Sequence, residues 1–152
     1  MKIINRDILT IDHGILVYQV NCQGVMGAGL AKAIADKWPV VKEEYLDWLN
    51  PDDDPSDFLG SWVLTDISPK LFVGSIFGQL NYGRSGCYTN YLSLASGLSR
   101  VYKIAQHRSL PIYLPHGIGC GLAGGDWRVV SALIEQELPD AIICKYNLTT
   151  ST

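Results

Sequence analysis

Apolar positions in this chain change their period along its length, and the changes mark out the elements. Gly14-Ile15-Leu16 leads into Val17-Tyr18-Gln19-Val20, a nearly unbroken apolar run that reads as a buried strand. Residues 28–37 read as a helix stopped by Pro39, and residues 40–49 as a second amphipathic segment. Asn50 to Asp57, NPDDDPSD, is an acidic loop punctuated by prolines. Trp62–Ile67 and Leu71–Phe77 are strand-like, and Ser68-Pro69-Lys70 between them predicts a hairpin. Thr89–His107 gives the clearest helical pattern, with Leu94, Leu98, Val101, Tyr102 and Ala105 on one stripe. Ile112-Tyr113-Leu114 is a short strand between prolines. Asp126 opens a helix carrying Val130, Leu133, Ile134 and Leu138 on one face, and Ala141–Tyr146 is the last strand. Strands and helices alternate, which predicts a single α/β domain over residues 1–152 with helices on both faces of a largely parallel sheet. The hairpin makes the sheet mixed. No internal repeat or linker interrupts the pattern.

Two strand-to-helix connections are unusually rich in glycine. Asn21 to Ala31 reads NCQGVMGAGLA, and Gly117 to Trp127 reads GIGCGLAGGDW. In an open α/β sheet, ligands bind outside the carboxyl ends of the strands, so these loops are expected to face each other across one crevice. Neither carries Lys or Arg before its helix begins. What each offers is backbone N–H groups and the positive end of a helix, a combination suited to phosphate or pyrophosphate. Neither is a Walker motif, because no Gly-Lys-Ser/Thr follows, and neither has GxGxxG spacing. Tight turns and close helix–sheet packing are the alternative reason for so much glycine.

Bulk composition narrows the function classes. Hydrophobic residues make up 47% and charged residues 18%, a globular balance. The net charge of -3 and the lack of any Lys/Arg run argue against an electrostatic grip on nucleic acid and against sequence-specific binding to it. No apolar run reaches membrane-spanning length. The N-terminus has no signal-peptide pattern, since Asp7 interrupts its apolar stretch, so a cytoplasmic location is expected. Cys22, Cys87, Cys120 and Cys144 form no CxxC pair and no cluster with metal spacing; reduced thiols are expected, with no metal and no cofactor.

On the two glycine loops, in this order and about ninety residues apart, the chain resembles the macrodomains, modules that bind ADP-ribose. It is most similar to the branch holding ADP-ribose-1''-phosphate phosphatases and enzymes that remove ADP-ribose from proteins. The resemblance covers nearly the whole chain and implies a three-layer α/β/α fold with a mixed, mostly parallel central sheet. It also implies a partner, ADP-ribose or an ADP-ribosylated molecule, recognised by a monomer. Asp7 matches the acidic residue that accepts from the adenine amino group, with Ile8 beside it; a turn or cap is the other reading of Asp7. Asn21 matches the residue that bonds the distal ribose hydroxyls, with strand-end turn as its alternative. Gln23, Gly24, Met26, Gly27, Ala28 and Gly29 fall in the loop that wraps that ribose and its phosphate. Gly117, Ile118, Gly119, Cys120, Gly121 and Leu122 fall in the loop that holds the pyrophosphate. Tyr146 is placed to stack on adenine or to serve only as an edge residue.

The resemblance also bears on reaction. Asp126, with Asn21, is the catalytic expectation: Asp126 would position a water that attacks at the distal ribose, or would simply cap its helix. His116 is a further group able to move protons, or a structural histidine. The subgroup that works through a lysine–sugar adduct carries a Lys before the long helix. Here Asn81–Tyr88 reads NYGRSGCY, with no Lys, and Arg84 is a poor nucleophile. Ala123 stands where that subgroup has its catalytic Asp. Direct hydrolysis by water is therefore the expected chemistry; a non-catalytic ADP-ribose reader is the alternative, and an unrelated nucleotide-type α/β domain is a third. Tyr82 and Arg84 lie in a loop that could lean over the distal ribose.

Overall fold

The computed structural model describes residues 1–146. Six strands form one sheet: β1 (Lys2–Ile4), β2 (Gly14–Asn21), β3 (Trp62–Asp66), β4 (Leu71–Gln79), β5 (Ile112–Pro115) and β6 (Ile142–Cys144), in the order β1-β6-β5-β2-β4-β3. Every pair is parallel except the β3/β4 hairpin. Ser68 makes the hairpin turn by accepting from the N–H groups of Lys70 and Leu71 at 3.2 and 3.0 Å. Four helices cover the sheet: α1 (Gly29–Lys37), α2 (Pro39–Trp48), α3 (Tyr91–Arg108) and α4 (Trp127–Glu137).

The apolar residues of β2 are buried on both faces, as a central strand requires. Ile15 and Val17 face one layer, where Leu94, Leu98 and Val101 of α3 meet Val130 and Ile134 of α4. Leu16, Tyr18 and Val20 face the other, where Ile34 of α1 and Val41 and Tyr45 of α2 close the core. The expected three layers are present, and the expected elements lie within a residue or two of their predicted places.

The expectation lacked β1. Three residues cannot display an alternation, and this strand forms by pairing Lys2, Ile3 and Ile4 with Ile142, Ile143 and Cys144 of β6. The acidic 50–57 loop also contains the start of a short 3-10 turn, Pro55–Phe58, capped by Asp54. Among the described residues no helix is long and apolar enough to cross a membrane.

Candidate functional site

The carboxyl ends of β2, β4 and β5 release three loops that surround one cavity of about 700 Å³, within the size range of nucleotide and cofactor sites. The first wall is Val25 and Gly27 to Ala31; the second is Pro115 to Gly119 with Gly121, Leu122 and Ala123; the third is Tyr82, Gly83 and Arg84. Gln19, Asn21 and Gln79 supply polar groups along the strand ends. The two glycine loops thus meet as expected.

Asn21 is the hub of the first loop. The β2/β4 register slips by one residue here, Val20 pairing with Phe77 and Asn21 with Gln79. Asn21 Oδ1 accepts from the N–H groups of Gln23 (2.9 Å) and Val25 (3.3 Å), and the buried Tyr45 hydroxyl lies 2.9 Å away. Asn21 Nδ2 donates to the Val25 carbonyl at 2.8 Å. Its oxygen is saturated, so Asn21 can offer a ligand one N–H and nothing more. Gln23 reaches back to the Leu80 carbonyl, Gly24 donates to Tyr45, and Met26 is buried in the α1/α2 core. These three shape the loop from behind and do not line the cavity.

The first wall runs into α1, and that helix start is uncapped: Ala28 makes no side-chain hydrogen bond to it. The first-turn N–H groups of Gly29, Leu30 and Ala31 have no intrahelical partner by construction, and all three residues line the cavity. The second loop divides its N–H groups. Those of Ile118, Cys120, Gly124 and Gly125 bond to carbonyls of the same segment at 2.8–3.1 Å. Among the described residues, the fold provides no acceptor for those of Gly119, Gly121, Leu122 and Ala123.

The glycines divide in the same way. A Cβ at Gly121 would meet no atom within 4 Å, and at Gly27 only Val25 at 4.0 Å. Both line the cavity, so the fold leaves these positions bare beside open space. At Gly124 a Cβ would overlap the Gly86 carbonyl, and at Gly125 it would come within 2.5 Å of the Gly119 oxygen. The first pair is bare toward the cavity; in the second pair, Gly124 lets the second loop dock on the third and Gly125 lets it fold closely on itself. Both sequence readings of these glycines therefore hold, each for different members.

The third wall is tied to the other two. Leu80 accepts from Cys22 N–H at 3.2 Å, and Ala123 accepts from Tyr88 and Thr89 at 2.6 and 3.2 Å. His116 lines the cavity with its ring 4.6 Å from that of Trp127. Burial, and then the charge of Lys145, hold its pKa below the usual histidine value, which favours the neutral imidazole.

Other expected site residues stand apart. Asp126 caps α4: Oδ1 accepts from Arg128 N–H at 2.9 Å and Oδ2 lies 2.8 Å from Arg128 Nη2. Its carboxylate borders a shallow depression on α4 with Val129 and Leu133, and not the crevice. The positive end of α4 is thus capped by Asp126, and only that of α1 opens on the cavity, a correction to the expectation of two. Cys120 is turned away from the cavity, its thiol pushed up to about 11 by burial, then by Asp126 and Cys87. Asp7 accepts from Leu9 N–H at 3.0 Å and begins a 3-10 turn. Ile8 is buried behind it, and Tyr146 is exposed past β6. None of Asp7, Ile8 and Tyr146 lines the cavity walls.

A macrodomain protein from Streptomyces coelicolor has the same architecture, with a TM-score of 0.77 at 24% identity over 96% of this chain and 97% of that one. The chain has the macrodomain fold. Thermosipho africanus DarTG, solved in complex with ADP-ribose, matches with a TM-score of 0.76 at 18% identity, over 97% of this chain and 41% of that one. In sequence, the chain is 24% identical over 160 residues to the ADP-ribose 1''-phosphate phosphatase of Saccharomyces cerevisiae, covering 88% of this chain and 89% of the yeast protein. No protein-family model matches. Within this fold, Tyr18, Gln19, Val20, Gln79 and Pro115 line the cavity without having been expected there. Most are ordinary strand or helix residues in sequence, and only the assembly of three loops reveals their role.

Proposed function

We propose that this macrodomain binds ADP-ribose along the crevice, its diphosphate held between the α1 N-terminus and the unbonded N–H groups of the second loop. The observation that carries this reading is the pairing of two bare glycine surfaces, at Gly27 and Gly121, with two sets of main-chain donors that the fold itself does not consume. Neutral dipoles fixed in place suit a diphosphate, because they need no reorganisation to receive its charge. Arg84 is the one permanently charged side chain along the described walls, and it is exposed. The nucleotide, and not a polymer backbone, would therefore be what is recognised. The distal ribose would lie between the Gly27–Gly29 segment and the Tyr82–Arg84 wall, with Asn21 Nδ2 donating to a hydroxyl. The adenine would lie toward the β5 and β6 ends, where Asp7 and Tyr146 stand outside the walls.

The second reading is hydrolysis of a group attached to the distal ribose, and the yeast phosphatase favours it. No carboxylate lines the described cavity. Hydrolysis by water would need Asp126 to leave Arg128 and turn inward, with the unbonded N–H groups of the second loop stabilising developing oxyanion charge. An exposed ion pair of this kind resists such movement only weakly.

Titration calorimetry with ADP-ribose tests the first reading, and failure to bind at millimolar ligand removes it. Phosphate release from ADP-ribose-1''-phosphate tests the second. Turnover that disappears in Asp126→Ala supports hydrolysis through that residue, and no turnover of that substrate or of ADP-ribosylated protein or nucleic acid leaves a binding module.

A further inference from the structure

Gln19 breaks the pattern of the strand that carries it. On the β2 face turned to α3 and α4, Ile15 and Val17 are fully buried, and the next position on that face is an amide in the cavity floor. Gln19 Nε2 donates to Gln79 Oε1 at 2.9 Å and to Thr89 Oγ1 at 3.0 Å. Gln79 Nε2 donates onward to the Asn81 carbonyl at 2.8 Å, and the Thr89 hydroxyl to the Gly119 carbonyl at 2.5 Å.

The direction of this chain of bonds is forced. Both of its ends are backbone carbonyls, which only accept. Gln79 must therefore turn its NH₂ to Asn81 and its oxygen to Gln19. Thr89 must give its single proton to Gly119. Gln19 must offer its NH₂ to both neighbours, and its own Oε1 is left buried with no donor. That oxygen is wedged between Gly78 and Gly119, where a Cβ at either position would press on it. Buried acceptors without donors are rare because they cost stability, and an aliphatic side chain continuing the row of Ile15 and Val17 would avoid the cost.

What the network joins explains its presence. Asn81 and Thr89 are the two roots of the third wall, and Gly119 belongs to the second. We propose that Gln19 is a positioning residue that fixes the 81–88 loop against the Gly117–Ala123 loop and so sets the closure of the crevice around the sugar beyond the diphosphate. The ligand half of this proposal rests on the ADP-ribose reading; the loop half does not.

The test is Gln19→Met, which keeps the length of the side chain and removes both donors and the stranded oxygen. Hydrogen exchange of residues 81–88 in the free protein is expected to rise about tenfold, while the melting temperature holds or increases. Affinity for ADP-ribose is expected to fall about tenfold, and affinity for ADP, which lacks the distal sugar, to change less than about twofold. Thr89→Val should act in the same direction and Thr89→Ser should not, which gives a second route if Gln19→Met does not fold. Unchanged exchange in both Gln19→Met and Thr89→Val overturns the proposal, as does an equal loss for ADP and ADP-ribose. A wild-type protein that binds neither nucleotide removes the ADP-ribose reading, and loop exchange alone then decides the role of Gln19.

Discussion

The Asp126 carboxylate closes on Arg128 two positions into the same helix, with Oδ2 2.8 Å from Nη2 and Oδ1 3.2 Å from Nε. Oδ1 also takes the Arg128 N–H at 2.9 Å. One side chain thus caps α4 and pairs with a cation, and these three bonds hold it out of the crevice. Asp126→Ala is expected to lower the melting temperature through loss of the cap, and to change ADP-ribose affinity less than about twofold. A tenfold loss of affinity by calorimetry would mean that the carboxylate turns inward and reaches the ligand.

Gly27 and Gly121 should respond to substitution differently from Gly124. Gly27 and Gly121 keep backbone conformations open to any residue and have room for a Cβ, whereas Gly124 has a φ of +73° and presses on Gly86. Gly27→Val and Gly121→Val are expected to fold with near-normal melting temperatures and to lose ADP-ribose affinity by about tenfold or more, roughly 1.4 kcal/mol. Gly124→Ala is expected to lower the melting temperature itself, because the second loop cannot stay docked on the third. Normal binding by Gly121→Val would show that the ligand does not approach that surface.

Tyr45 supports the first loop from within the core. Its buried hydroxyl lies 2.7 Å from the Asn21 carbonyl and 2.9 Å from Asn21 Oδ1, and accepts from Gly24 N–H at 3.0 Å. Tyr45→Phe keeps the ring, which stacks on Phe77, and removes these bonds. Denaturant unfolding is expected to show a loss of about 1–2 kcal/mol, with ADP-ribose affinity reduced several-fold as Gly24 and Asn21 loosen. An unchanged affinity would separate the loop's shape from its hydroxyl support.

Two groups give the protein an acid-sensitive side. His116 is held below its usual value by burial and by Lys145, so between its folded value and the ordinary 6.5 the unfolded chain binds more protons. Asp126 is held low first by the Arg128 side chain and then by the Arg128 N–H, with the same sign in the carboxylate range. Stability is expected to be fully present above about pH 6.5 and to fall as pH drops through the folded His116 value, then further as Asp126 protonates. Melting temperatures measured from neutral pH to pH 4 should fall less steeply at the first step in His116→Gln. Identical slopes for wild type and variant would remove His116 from this account.

The alternation of short apolar runs with helical stripes was enough to place the hairpin, the four helices and all but one strand, because those patterns are set within a few neighbouring residues. The two glycine loops were equally legible, since backbone bareness beside a strand end is written in the sequence itself. Four features were not. β1 exists because Lys2–Ile4 finds β6, some 140 residues away. The α4 N-terminus is closed by its own Asp126 and not opened to the crevice, a choice of side-chain direction that spacing does not encode. Gly27 and Gly121 differ from Gly124 in backbone φ and in what lies opposite them, and neither is written in the residue type. Gln19, a polar residue within an apolar run, acquires Gln79 and Thr89 as partners across 60 and 70 residues. Local sterics and periodicity act along the chain and can be read from it; bonds across the fold depend on where the sheet brings distant segments, and they arise only once it has formed.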